Sequence, residues 1–252
     1  MRFDVITLFP ELVDVGIGVG VIGRAKDRGI IRSQSWNPRD FTTDPYRRVD
    51  ERTFGGGPGM VMMVEPLARA LNAVKQADPA PGWVIHPSPR GRPLTQARIR
   101  ELAELPRLIL VASRYEGVDQ RFIDHYVDEE LSLGDFVLAG GELPALAIVE
   151  AVTRLLPGVL NDDSSAAQDS FSDPHLLDCP HYTRPELLDE GRVPAVLLSG
   201  NHGEIERWRR ARQLQDTLQR RPDLLKPEQL SESDGKLLRW YEKLERQPKN
   251  DV

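Results

Sequence analysis

Residues 82–114 constrain the fold most. Two short apolar runs, GWVIHPSP (82–89) and RLILVASR (107–114), flank the stretch TQARIRELAEL (95–105). Within that stretch Ile99, Leu102 and Leu105 recur at helical spacing, and Thr95 is placed to cap the helix start. Strand, helix and strand in about thirty residues form a βαβ unit. A crossover of that kind joins parallel strands, so a parallel sheet is predicted. FDVITLF (3–9), stopped by Pro10, reads as another buried strand. YVDEELSLGDFVL (126–138) supplies one or two more. ELPALAIVEAVTRLLPG (142–158) predicts a helix, with Pro144 near its start and Leu146, Val149, Val152 and Leu156 on one side. Pro157 and Gly158 stop it.

Beyond Gly158 the texture changes. NDDSSAAQDSFSDP (161–174) is small and polar and reads as a flexible linker. From 175 onward the one strand-like run is AVLL (195–198). GEIERWRRARQLQDTLQRR (203–221) predicts a long helix striped by Ile205, Trp208, Ala211, Leu214 and Leu218, and LSESDGKLLRWYEKLERQ (230–247) predicts another. The expected organisation is an α/β domain over 1–160, a linker over 161–174 and a small, mostly helical domain over 175–252. There are no internal repeats.

Composition excludes several classes. With 40% hydrophobic and 29% charged residues, the 252-residue chain reads as a soluble globular protein. It has no apolar run near the ~20 residues of a membrane span. Its first residues, MRFDVITLFPEL, lack the pattern of a signal peptide. Cys179 stands alone, which excludes a disulfide framework and a multi-thiolate zinc site and fits a cytoplasmic location. A net charge of −6 argues against a surface that coats nucleic acid, but leaves room for a local basic patch.

Several motifs bear on chemistry. Gly18, Gly20 and Gly23 spell G-x-G-x-x-G, with Asp40 downstream. A dinucleotide fingerprint lies directly after a strand. Here the helix-like PELVDV intervenes, so a flexible loop is expected over an NAD-linked oxidoreductase site. FGGGPGMVM (54–62) is not a P-loop, because no Lys-Ser/Thr follows its last glycine. It serves either as a structural turn or as a backbone-lined contact to a ligand or partner chain. SRYEGVDQRF (113–122) sets Arg114, Tyr115, Glu116, Asp119 and Arg121 in one connection. Together with the connection after 82–86 and SLGDFVLAGG (132–141), it makes three Gly-, Pro- or Ser-bearing loops. In open α/β sheets ligands bind at the carboxyl ends of strands, so the three point to a small-ligand pocket. Six arginines in IERWRRARQLQDTLQRR (205–221), against Glu206 and Asp216, form either a solvated face or a phosphate-binding one. His181, near Cys179, reads as structural.

LFPELVDVG, SWNPRDF, FGGGPGMVMMVEP, RYEGVDQR, LGDFVLAGGELPA, PGVL, DSF and LLDCPHYTRP with VPAVLLSGNHGEIERWR follow one another from residue 3 to about 221. In these motifs the chain resembles the bacterial tRNA (guanine-N1)-methyltransferase (TrmD) family of the SPOUT superfamily. The resemblance implies a parallel sheet with a deep C-terminal trefoil knot, a feature outside the usual rule that chains are unknotted. It implies a homodimer, S-adenosyl-L-methionine as methyl donor, and a substrate tRNA with guanine at position 37, preferably preceded by guanine. By the same resemblance the donor-binding residues are Pro87, Ser88, Pro89 and Gly91, then Ser113, Arg114, Tyr115, Glu116 and Gly117. The third loop adds Ser132, Leu133, Gly134, Asp135, Phe136, Val137, Leu138, Gly140, Gly141 and Pro144. Asp169 is implied as the base and Arg154 as the partner of guanine O6. Glu116 is a candidate for the donor's charge balance or for Mg²⁺. Arg207, Arg209 and Arg210 are placed to meet tRNA phosphates.

The chain departs from the family pattern in two places. It reads His86-Pro87 where many members have an aromatic-aliphatic pair, and Ser113 where glycine is common. Altered donor affinity is the expected consequence. Two further readings compete with base methylation: a non-catalytic RNA-binding module, and ribose 2′-O-methylation.

Overall fold

The computed structural model describes residues 1–160 and 168–245. The chain divides into two compact units, Met1–Asp163 and Ser164–Val252.

The first unit is built on β1 (Arg2–Ile6), β2 (Arg32–Trp36), β5 (Trp83–Pro93), β6 (Arg107–Val111) and β7 (Glu129–Ser132). These form one five-stranded sheet in the order β2-β1-β6-β5-β7, and every pairing is parallel. β3 (Asp50–Glu51) and β4 (Val61–Met62) pair separately and antiparallel. β6 lies at the centre, and all five of its residues are buried. That is why LILV (108–111) is a continuous apolar run rather than an alternating one. β2 is an edge strand, and its polar RSQSW carries no such signal.

Helices cover both faces. α1 (Pro10–Ile17), α2 (Gly20–Asp27), α4 (Gln96–Ala103) and α6 (Glu142–Thr153) belong to one layer. There Val13, Ile17, Ile99, Ile148 and Val149 pack with Phe3, Val5, Leu108 and Leu110 of the sheet. α3 (Val64–Ala77) and α5 (Gln120–Tyr126) belong to the other, where Leu67, Leu71, Val74 and Phe122 pack with Ile6, Val84, Ile109 and Val111. The alternation of strand side chains sorts Val5 and Ile6 into opposite cores.

The structure corrects several sequence expectations. The first strand stops at Ile6 because Pro10 opens α1 directly after Phe9. Residues 126–138 hold one strand, ended where the Ser132 hydroxyl accepts from Gly134 N–H and turns the chain. AVLL is a helical turn, α7 (Ala195–Leu198), not a strand. The G-x-G-x-x-G segment is a helix junction rather than a flexible loop. Gly18 ends α1, Gly20 opens α2 at φ 63°, and a Cβ on Gly23 would lie 2.5 Å from the Gly18 carbonyl. Helices α2, α3 and α5 were not anticipated.

In the second unit, β8 (Leu187–Leu188) and β9 (Gly191–Arg192) form a small antiparallel pair. α8 (His202–Arg220) and α9 (Glu232–Glu245) are its long helices. Asn201 caps α8 by accepting from Glu204 N–H. Trp208, Ala211 and Tyr241 make one buried cluster, and Leu176, Leu214 and Leu225 another. Residues 161–167 of the expected linker lie outside the described residues. From Gln168 onward the chain belongs to this unit, with Phe171 N–H donating to Leu176 O at 2.8 Å. Among the described residues, no helix is long and apolar enough to cross a membrane.

One buried ion pair ties the sheet to its helical cover. Arg107, 1% exposed, donates from Nε to Asp4, which is fully buried, at 2.8 Å. Its other nitrogens reach Val74 O and Asp78 O at the end of α3, so the guanidinium also caps that helix. Asp4 further accepts from Arg2 and from Trp36 Nε1. Asp4→Ala leaves Arg107 buried and unpaired and is expected to cost about 3–5 kcal/mol. Urea unfolding of the variant against the parent chain measures this.

Candidate active site

The loops singled out in the sequence follow β5, β6 and β7, which are adjacent in the sheet, so they emerge side by side. The first is an excursion inside β5. Pro87 and Arg92 both pair with Leu131, so residues 88–91 stand out of the ladder. Gly91 is required there, since a Cβ would run into the backbone of Glu130 and Leu131. The second and third loops touch through main chain. Gly141 N–H donates to Ser113 O at 2.8 Å, and a Cβ on Gly141 would sit 2.8 Å from Ala112 Cα. A residue with a side chain would force the two loops apart.

A polar cluster locks this crossing. Arg114 Nε lies 2.9 Å from Glu142 Oε2. The N–H does not aim at the oxygen, so the contact is an ion pair and not an aligned hydrogen bond. Glu142 is fully buried and accepts from Thr7 Oγ1 at 2.9 Å. The guanidinium stacks over Phe9, 4.4 Å from the ring centroid. Gly140 leaves room for this pair, because a Cβ would collide with both side chains. Sequence reasoning named Arg114 and Gly140 but missed Glu142, Thr7 and Phe9. The available signal was a carboxylate opening an otherwise apolar helix.

The glycine-rich segment belongs to the same neighbourhood. Glu116 N–H donates to Met60 O at 2.9 Å, Met62 N–H to Gly117 O at 2.9 Å, and Asp119 N–H to Met62 O at 3.0 Å. The Glu116 side chain lies across Gly59, where a Cβ would overlap it. FGGGPGM therefore packs by its backbone against the loop after β6 of the same chain. Tyr115 holds a left-handed backbone at φ 61°, and its hydroxyl accepts from Arg39. The remaining charges of SRYEGVDQRF serve local structure: Asp119 caps α5 and pairs with Arg121, which lowers its carboxyl below the usual range.

His86 and Ser113, the two positions read from the sequence as departures from the family pattern, meet each other. His86 Nε2 lies 3.0 Å from Ser113 Oγ, and its Nδ1 lies 3.1 Å from Glu130 Oε1.

Arg154 ends α6 and is half-buried in the first unit. Asp169 is half-buried in the second, where its carbonyl accepts from Ser172 N–H. The arginines proposed for phosphate contact differ. Arg207 stacks over Trp240 at 4.4 Å, and Arg210 pairs with Asp173 at 3.2 Å. Arg209 is exposed and lines a cavity of about 590 Å³ with His181, Tyr182, Arg184 and Trp208. Cys179 does have ligand-type neighbours: its thiol, an Asp178 oxygen and a His181 nitrogen all lie within 4.8 Å of one another. Asp178 already accepts from His181 Nε2 at 2.8 Å and from Cys179 N–H. Burial and the Asp178 charge push the thiol up to about 11, so it stays protonated at neutral pH.

A parallel sheet with helices on both faces and glycine-lined loops joined at its carboxyl edge defines an open α/β protein, a class whose ligands bind at that edge. The family model described as "tRNA (Guanine-1)-methyltransferase TrmD" matches residues 1–227, and the chain belongs to that family. Proteins called tRNA (guanine-N(1)-)-methyltransferase are similar along nearly its whole length. The one from Stenotrophomonas maltophilia strain R551-3 is 59% identical over 239 residues, covering 94% of this chain and 95% of the relative. The one from Thiobacillus denitrificans is 58% identical, covering 92% and 99%, and that from Methylibium petroleiphilum 61%, covering 89% and 90%.

Gly141→Ala places a methyl against the Ala112 backbone. It is expected to destabilise the first unit by about 1–3 kcal/mol. Differential scanning calorimetry reads the shift, and the Gly203→Ala variant, where a Cβ meets nothing closer than 3.6 Å, serves as a comparison outside the crossing.

Proposed function

We propose that the chain transfers a methyl group from S-adenosyl-L-methionine to N1 of guanine at position 37 of tRNA, beside the anticodon. The observation that carries this reading is the main-chain junction of two glycine-bearing loops, at Gly141 and Ser113, beside a third on the adjacent strand, in a chain of this family. The residues suit such a donor. Gly117 and Gly134, at φ 110° and 150°, leave peptide groups uncovered by side chains. Tyr115, Phe136 and Leu138 carry exposed apolar surface for a purine. Glu116 and Asp135 carry charge opposite to a sulfonium or ammonium, and Glu116 is also where Mg²⁺ would bind. In this reading the chain between β6 and α6 forms the trefoil knot.

Guanine N1 holds a proton at neutral pH and is a poor nucleophile. Removing that proton puts negative charge on N1 and O6. Asp169 takes the proton, and the Arg154 guanidinium holds O6 and so favours the deprotonated base. The donor supplies a methyl on sulfonium sulfur; the N1–C bond forms as the C–S bond breaks. The enzyme acts as a cytoplasmic homodimer. The exposed Phe9, Leu12, Val15, Phe136, Val137 and Leu143 of the first unit provide apolar surface for the second copy. The helical segment from residue 175 to 252, within the second unit, holds the tRNA, with Arg209 as its principal phosphate contact and Arg207 and Arg210 in support.

Mass-spectrometric mapping of the methylated atom tests the reaction, using tRNA with guanine or another base at position 37. Methyl on N1 of guanine-37, lost when that base is changed, is expected; methyl on a ribose oxygen would favour 2′-O-transfer. Asp169→Asn is expected to lower kcat by about 10²–10⁴-fold with donor binding retained by calorimetry. Arg209→Ala is expected to weaken tRNA binding more than Arg207→Ala does. It also reduces the salt slope by about one, read by filter binding across a salt series.

A further inference from the structure

We infer that His86 is a positioning residue for the methyl donor, acting through Ser113 and Glu130 rather than by touching substrate. The inference rests on the donor reading above. His86 is 5% exposed, and nothing in the proposed transfer uses it. Its ring bridges three neighbouring strands. The histidine stands on β5, Ser113 opens the loop after β6, and Glu130 lies on β7 directly opposite in register. One residue further on, at Pro87, the chain begins the excursion over 88–91. A single side chain therefore ties together the three strands from which the loops emerge.

The chemistry of the ring adds a direction. A neutral imidazole has one donor and one acceptor nitrogen. Glu130 is acceptor-only when ionised, and its carboxyl is held below the ordinary range, first by the hydrogen bond from His86. The Glu130 partner thus assigns the proton to Nδ1, which donates to Oε1. Nε2 is left as an acceptor, so the Ser113 hydroxyl donates to it. That turns the Ser113 hydrogen toward the ring and leaves the oxygen lone pairs on the other side. Glycine at 113 would offer no such oxygen, and a ring without nitrogens at 86 would leave it unoriented. The two departures from the family pattern act as one unit.

The test is a double-mutant cycle on the full-length chain with S-adenosylmethionine and tRNA. The variants are Ser113→Ala, His86→Phe and both together, with His86→Gln as the conservative rescue. KM for the donor and kcat are measured for each, with the thermal midpoint alongside. Each single change is expected to raise donor KM about 3- to 10-fold, with a smaller fall in kcat. The double variant should be no worse than His86→Phe, because the residues act through one another. His86→Gln, which keeps an amide in reach, should recover part of the loss. Should His86→Phe fail to fold, the cycle is run with His86→Gln in its place. Additive effects, or an unchanged donor KM with a lowered thermal midpoint, would overturn the inference and leave His86 as a packing residue. An unmodified chain that transfers no methyl to tRNA overturns the donor reading, and this inference with it.

Discussion

The contact between Gly141 and the backbone of Ala112 and Ser113 is the constraint on which the site depends. A 2.8 Å hydrogen bond there joins the loop before α6 to the loop after β6. The contact exists only because residue 141 lacks a side chain. Once it forms, Arg114 is brought beside Glu142, and Glu142 is held by Thr7 from the end of β1. Residues from three separate parts of the chain are then fixed around one crossing. Such a site is assembled by close main-chain approach, and its charged side chains hold the loops in place.

A second network anchors the opposite edge of the sheet. Asp4 and Arg107 are neighbours across β1 and β6, and Arg107 extends to the carbonyls at the end of α3. Buried charges of this kind are costly unless every donor and acceptor is satisfied. Here Asp4 accepts from Arg2, Trp36 and Arg107. The sheet is therefore pinned at its amino edge by charge and shaped at its carboxyl edge by glycine. Between them the central strand is apolar from Leu108 to Val111.

Legibility in the sequence followed local signals. β6 and α4 could be read because continuous apolar runs and helical spacing are set by neighbours in the chain. β2 could not, because an edge strand needs no apolar residues. The run AVLL misled, since four apolar residues suit a helical turn as well as a strand. The G-x-G-x-x-G pattern was rightly set apart from a cofactor motif, but its glycines serve tight helix packing rather than flexibility. Arg114 and Gly140 were visible as members of suspicious loops. Glu142 was not, because a lone carboxylate at a helix start looks like an ordinary N-terminal charge.

From residues alone came the parallel sheet, the three loops at its carboxyl edge and, through ordered motifs, the family. Each rests on short-range pattern or on residue identity. The pairing of His86 with Ser113, the ion pair of Arg114 with Glu142 and the packing of Gly59 under Glu116 came only with the folded chain. These partners are separated by 27, 28 and 57 positions, as their numbers show. No periodicity links such positions, because their proximity is set by strand order and by how closely two backbones approach.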